Sequence, residues 1–342
     1  MLFFLIYFYY KILFFITLIM GSFISISSNS TMGMWIGLEI NLLSFIPLIQ
    51  EKNNQYSSES SLKYFLTQAL ASTILLFSLI FMTKNLMIMK NIDNSIMIIF
   101  NSALLTKMGM APFHFWFPEV IEGLNWLNCL ILLTWQKITP MVLIMFNMNF
   151  QYFFLIIIVF SMMVSGFIGI NQISLRKILA YSSINHMAWM ISSMYFSETI
   201  WMTYFLIYSI LSINIIAMFF MLNIYFYNQL IISLNNNMMW KFFFSFNFLS
   251  LSGLPPFLGF MPKWLTIQYL IQINWFLLAF FMVMLTLMTL FFYIRLIFNI
   301  MVISNNEINY LYQSKLKTSI MVIFNLITLK SLLLFNLTFN FF

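Results

Sequence analysis

Charge is nearly missing from this chain: 7% of its 342 residues are Asp, Glu, Lys or Arg, against about 25% in a soluble domain. With 63% apolar and 20% aromatic residues, it has too little polar surface to face water on all sides. A separate soluble domain is excluded, and an all-α polytopic membrane protein is what remains. One cysteine, Cys129, excludes an internal disulfide framework and a four-cysteine iron–sulfur site. Two histidines, His114 and His186, are too few for several haems with paired imidazoles. No glycine-rich nucleotide fingerprint is present, so no cofactor and no metal is expected to bind in this chain. The single aspartate, Asp93, is expected in a loop, which leaves too few hard oxygen ligands for a sodium site.

Arginine (two residues), glycine (nine) and proline (seven) are scarce, while phenylalanine (43) and methionine (29) abound. An AT-rich gene encodes such a composition; the animal mitochondrial reading of ATA as methionine would explain the methionine excess, and a lipid-facing surface tolerant of flexible apolar side chains explains it almost as well. No basic, serine-rich transit peptide precedes the first apolar run. Both features suit synthesis inside the mitochondrion and residence in its inner membrane.

Spans are expected at about 3–25, 31–49, 62–82, 96–120, 124–146, 150–171, 177–196, 199–223, 242–272, 275–298 and 318–339, each at or above the roughly 20 residues that cross a bilayer. Eleven spans sort the basic residues by side. Lys52, Lys63, Arg176, Lys177, Lys241, Arg295, Lys315 and Lys317 fall with the N-terminus, and Lys84 and Lys90 fall opposite. The bias orients the N-terminus to the matrix and the C-terminus to the intermembrane space. The net charge of +7 is therefore topology, not a nucleic-acid footprint.

Glu39, Lys107, Lys137 and Lys263 lie inside these spans. A lysine at mid-membrane is disfavoured by roughly 2.5–3.5 kcal/mol even on a forgiving insertion scale, so its presence calls for a function. The fourth span reads NSALLTKMGMAPFHFWFPEV and the ninth NFLSLSGLPPFLGFMPKWLTIQYLI. Gly109 and Pro112 in one, and Gly253, Pro255, Pro256, Gly259 and Pro262 in the other, predict broken helices over 96–120 and 242–272. Irregular backbone at membrane depth persists where protein or a watery cavity satisfies it, and each break has a lysine beside it. The breaks are five spans apart. A five-helix unit repeated once must insert upside down, which is the inverted-repeat plan of secondary transporters. The expected division is 1–146 for the first repeat, 147–300 for the second, and 301–342 for a loop and an added helix.

The segments WIGLEINLLSFIPL, LLTKMGMAPFHFWFPEV, LLTWQKITP and LSLSGLPPFLGFMPKW resemble the subunit-2 family of mitochondrial NADH:ubiquinone oxidoreductase, respiratory complex I. The resemblance covers nearly the whole chain. It implies an antiporter-like fold in the membrane arm, beside antiporter-like subunit 4 and the small subunit 4L, among inner-membrane lipids. NADH, FMN, iron–sulfur clusters and ubiquinone would then be bound by other subunits. It implies that Glu39 pairs with Lys107 in a first half-channel, that Lys137 connects the halves, and that Lys263 belongs to the second. Relative to bacterial members with fourteen helices, the chain would lack the first three.

Desolvation disfavours an ammonium, which is what turns a lysine into a usable proton carrier. Moving a proton against roughly 180 mV requires about 4 kcal/mol. A Glu39–Lys107 ion pair at about 4 Å and an effective dielectric near 20 supplies a similar energy, so its opening and closing would gate one proton. His114 and His186 are possible further relays, each weighed against simple hydrogen bonding to a freed carbonyl or a neighbouring helix. Glu119 and Glu122 are expected to be solvated, and Lys11 and Lys330 to snorkel. The tryptophans are either interfacial anchors or packing residues. Two other readings stay open: a free-standing cation/proton antiporter, which the shortage of acids disfavours, and a scaffold that does not pump.

Overall fold

In hydrocarbon, a helix satisfies every backbone donor and acceptor within its own segment, and the apolar runs here fold accordingly. A computed structural model describes residues 2–51, 54–85, 90–148, 150–234 and 238–302. The expected span 318–339, with Lys315, Lys317 and Lys330, lies outside the described residues, as do Lys52 and the side chains of Lys84, Lys90 and Asp93.

Fourteen helices appear among the described residues: α1 (Leu2–Ser27), α2 (Thr31–Ile49), α3 (Gln55–Asn85), α4 (Lys90–Met108), α5 (Trp116–Gly123), α6 (Trp126–Leu133), α7 (Trp135–Met145), α8 (Gln151–Ile170), α9 (Leu175–Met194), α10 (Glu198–Leu222), α11 (Tyr227–Leu234), α12 (Met238–Ser252), α13 (Phe260–Gln272) and α14 (Phe276–Val302). No strand accompanies them among these residues; an isolated antiparallel bridge joins Ser174 to Phe226. Asp93 falls in the first turn of α4, not in a loop as expected. Among the described residues seven stretches are long and apolar enough to cross a membrane: α1, α2, α3, α6 with α7, α8, α10 and α14. Helices also stand at the other three expected positions up to residue 302. Two of those are broken, and α9 is too polar to qualify.

Caps show why several helices begin and end where they do. Ser30 accepts the Gly33 N–H at 3.1 Å and Ser197 accepts the Ile200 N–H at 3.2 Å, each satisfying a donor orphaned by the first turn. Asn223 ends α10 in the left-handed region at φ 52°, a conformation asparagine tolerates.

The chain forms two compact units, Met1–Ile157 and Ile158–Phe342, dividing inside α8. In the first, α1 and α2 run antiparallel. Tyr10 donates to the Pro47 carbonyl at 3.2 Å, and a Cβ on Gly37 would come within 2.5 Å of the Ser25 nitrogen. Small residues thus let the backbones meet, the usual device where lipid supplies no hydrophobic drive. In the second unit α9 is packed by α10, α13 and α14. Every residue of α9 is buried except Arg176 and Lys177. Four of its serine hydroxyls are satisfied internally: Ser182, Ser183, Ser192 and Ser193 each bond a carbonyl three residues back.

Candidate proton-path site

The two expected breaks share one backbone turn. At the end of α4, Gly109 N–H donates to Thr106 (3.1 Å) and Met110 N–H to Leu105 (3.1 Å). At the end of α12, Gly253 N–H donates to Ser250 (3.1 Å) and Leu254 N–H to Leu249 (3.4 Å). This is the Schellman pattern, which needs a left-handed residue just past the helix. Gly109 at φ 72° and Gly253 at φ 77° supply it without a Cβ penalty. The bonds Ala111–Pro112 and Pro255–Pro256 are both cis.

What satisfies the freed carbonyls differs. In the first unit, Trp116 Nε1 donates to Thr106 (3.0 Å) and Gln68 Nε2, from α3, donates to Lys107 (3.3 Å). In the second, Lys263 does the work itself: its Nζ donates to the Ser252 carbonyl at 2.7 Å. The lysine stem crosses bare Gly253, where a Cβ would lie 2.8 Å from Lys263 Cδ.

A third break was not expected. The fifth span splits at Thr134 into α6 and α7, three residues before Lys137. The Thr134 hydroxyl back-bonds to the Leu130 carbonyl at 2.7 Å, an arrangement that bends helices. Pro140 removes the donor that would have reached the Gln136 carbonyl. All three lysines therefore flank a helix discontinuity, and all are buried, with exposures of 8% for Lys107, 1% for Lys137 and 6% for Lys263.

Phe117 connects the first turn to Lys137. Its side chain packs on Gly109, 2.8 Å from where a Cβ would stand, and its ring lies 5.1 Å from Lys137 Nζ. That geometry is a cation–π contact.

Glu39 and Lys107 do not form the contact pair expected of them. No nitrogen–oxygen approach within 4.0 Å joins them, and the ion pairs found link Lys63 to Glu59 (2.8 Å) and Glu119 (3.0 Å) on the surface. Glu39 nevertheless acts electrostatically on both Lys107 and Tyr64, and its buried Oε2 has no hydrogen-bond partner. At separations beyond 4 Å the interaction falls below about 4 kcal/mol, so closing this pair would require movement.

His114 sits with Nδ1 3.4 Å from the Pro112 carbonyl, inside the first break. His186, on α9, places Nδ1 3.0 Å from the Tyr204 hydroxyl and its ring 5.1 Å from that of Tyr208. Around it, Tyr208 bonds Ser183, Tyr293 bonds Ser182, and Asn185 donates to Thr289 at 3.2 Å. Trp189, one turn beyond His186, presents its ring 5.8 Å from Lys263 Nζ. The second unit thus carries a buried polar cluster reaching from the Lys263 neighbourhood along α9. Tyr204, Tyr208 and Tyr293 were not singled out from the sequence, although Tyr204 and Tyr208 stand four apart on one helical face.

Broken helices, buried lysines beside each break, and a polar helix inside an apolar bundle define a membrane protein of the transporter type. The chain belongs to the NADH:quinone oxidoreductase/Mrp antiporter membrane family, whose model matches residues 28–289. Its relatives include the NADH-ubiquinone oxidoreductase chain 2 of Anopheles gambiae, 48% identical over 95% of this chain and 96% of that protein. The mouse protein of the same name is 36% identical over 89% and 91%. Among solved structures, respiratory complex I from Thermus thermophilus with bound aureothin matches with a TM-score of 0.86 at 20% identity, over 96% of this chain and 79% of the matched one. The Mrp complex from Dietzia matches at 0.79 and 13% identity, over 94% and 74%. At such identities these two show a shared fold.

Proposed function

We propose that this chain is a membrane-arm subunit of a proton-pumping NADH:ubiquinone oxidoreductase and translocates protons across the mitochondrial inner membrane. Redox chemistry in other subunits would drive it, with NADH, flavin, iron–sulfur clusters and ubiquinone bound there. The observation that carries the reading is the placement of Lys107, Lys137 and Lys263 beside three helix discontinuities, buried among apolar side chains. Near-complete coverage of relatives named as chain 2 of that enzyme supports the assembly.

In this reading Glu39 sets the charge felt by Lys107, Lys137 relays across the centre, and Lys263 exchanges the proton of the second half-channel. Buried water completes the path, with His114 and His186 as further relays. The recurrent turn at Gly109 and Gly253 supports two five-helix repeats within an eleven-span plan, the second inserted upside down. The N-terminus then faces the matrix and the C-terminus the intermembrane space, with subunits 4 and 4L as neighbours.

Lys137→Met tests the relay. It preserves volume and apolar packing while removing the ammonium. Native gels stained for NADH oxidation should show the chain in the large NADH-oxidising band, while proton uptake per NADH oxidised in reconstituted vesicles falls. Loss of assembly with an unchanged proton ratio in the residual complex would assign Lys137 a structural role. A chain migrating as a small species without NADH oxidation would point to a free-standing antiporter.

A further inference from the structure

A cavity of about 360 Å³ opens in the second unit where the last turns of α8 and α14 meet the start of α11. The bridge between Ser174 and Phe226 builds one wall. Leu175 N–H donates to Tyr225 and Tyr227 N–H to Ile173, which fixes Ile173 and Tyr227 side by side at the rim. Arg295 enters from α14, its Nη2 donating to the Ile170 carbonyl at 2.6 Å. One arm of the guanidinium is thereby fixed, while its fork keeps further donors for a ligand. Asn171 and Asn299 add amide groups to the lining. Tyr227 also lines the cavity, and its hydroxyl is buried with no hydrogen-bond partner among the described residues. A buried polar group without a partner is costly, so a ligand that accepts and donates there would relieve it.

The electrostatics select the ligand's sign. Arg176 and Lys177 stand in the first turn of α9, Lys241 in that of α12, and Arg176 stacks on Tyr225 at 4.7 Å. Among the described residues of this unit the single acid is Glu198, at the start of α10. The 25-residue length of α10 separates it by roughly 37 Å from the Asn223 end. No other carboxylate of this unit stands among the described residues to compete for Arg295. Away from the cavity the flanking helices expose Phe167 and Ile168 on α8, and Phe291 and Phe298 on α14. A charged socket at the end of membrane spans, continued by apolar faces, has the form of a phospholipid site.

We propose that this cavity binds the phosphate of an anionic phospholipid. Arg295 and Tyr227 hold the phosphate oxygens, and the acyl chains lie along α8 and α14.

The test titrates fluorescent phosphatidylglycerol into the delipidated, intact membrane assembly that contains this chain, with phosphatidylcholine and inorganic phosphate as competitors. Arg295→Gln should weaken the tightest phosphatidylglycerol site about tenfold or more, as expected for losing a charge-assisted bond. Tyr227→Phe should weaken it several-fold. The second variant removes a hydroxyl that no described protein group uses, so it reports on the ligand even where Arg295→Gln impairs folding. Unchanged affinity in Tyr227→Phe, or equal displacement by phosphatidylcholine, would overturn the proposal. Displacement by inorganic phosphate at the concentration of lipid phosphate would assign a free-anion site instead.

Discussion

Adding one methyl group at Gly253 should break the contact that positions Lys263. The built Cβ would lie 2.8 Å from Lys263 Cδ and 3.0 Å from Cε and Nζ. These are the far atoms of a flexible chain, so the lysine swings aside at little steric cost and gives up its 2.7 Å bond to the Ser252 carbonyl. A bond from a charged donor is worth about 1.5–3 kcal/mol. The left-handed backbone at φ 77° adds roughly 1–2 kcal/mol for any L-residue. Gly253→Ala should therefore lower the local opening free energy of the turn by about 2.5–5 kcal/mol. Amide hydrogen exchange across 249–260, measured in the assembled complex, reads that quantity. A double-mutant cycle separates its parts: in a Lys263→Met background Gly253→Ala should cost the backbone share alone, leaving a coupling of about 1.5–3 kcal/mol. Additive costs would refute the idea that the bare glycine exists to let the lysine reach the helix end.

Gln68→Leu should leave the Lys107 carbonyl unsatisfied at a cost of about 1–3 kcal/mol, seen as faster exchange of amides 105–115, with exchange around 249–260 unchanged. Gly37→Leu should force α1 from α2, because even a Cβ there would stand 2.5 Å from the Ser25 nitrogen. The chain should then fall in abundance in the native assembly; wild-type levels would show that the tight approach is dispensable.

Two breaks were legible because glycine and proline act at their own positions, and the turn starts at the glycine in both cases. The third was not. Thr134 bends the fifth span by bonding the Leu130 carbonyl, and a threonine in an apolar run carries no such mark. The short helix α11 escaped for a different reason: its eight residues are too few to show a period. Partners across helices were the largest loss. Gln68, Phe117 and Tyr204 are 39, 20 and 18 residues from Lys107, Lys137 and His186, the groups they touch, so spacing along the chain could not pair them. The Glu39–Lys107 contact was implied by the resemblance, which carries the two residues but not the distance between them in this chain.

The shared turn with unlike caps has a consequence for how each lysine responds. Gln68, a neutral amide, caps the carbonyl of Lys107, and the lysine's ammonium feels the charge of Glu39. Lys263 instead spends its ammonium on the end of α12. In the proposed pump, proton loss from Lys107 changes a charge–charge interaction, which reaches across several ångströms. Proton loss from Lys263 turns a charge-assisted bond at a helix terminus into a neutral one, roughly halving its strength. The first event is felt by neighbouring charges and the second by the backbone of a broken helix. In that pump, one backbone turn, used twice, would couple proton movement to electrostatics in one unit and to helix packing in the other.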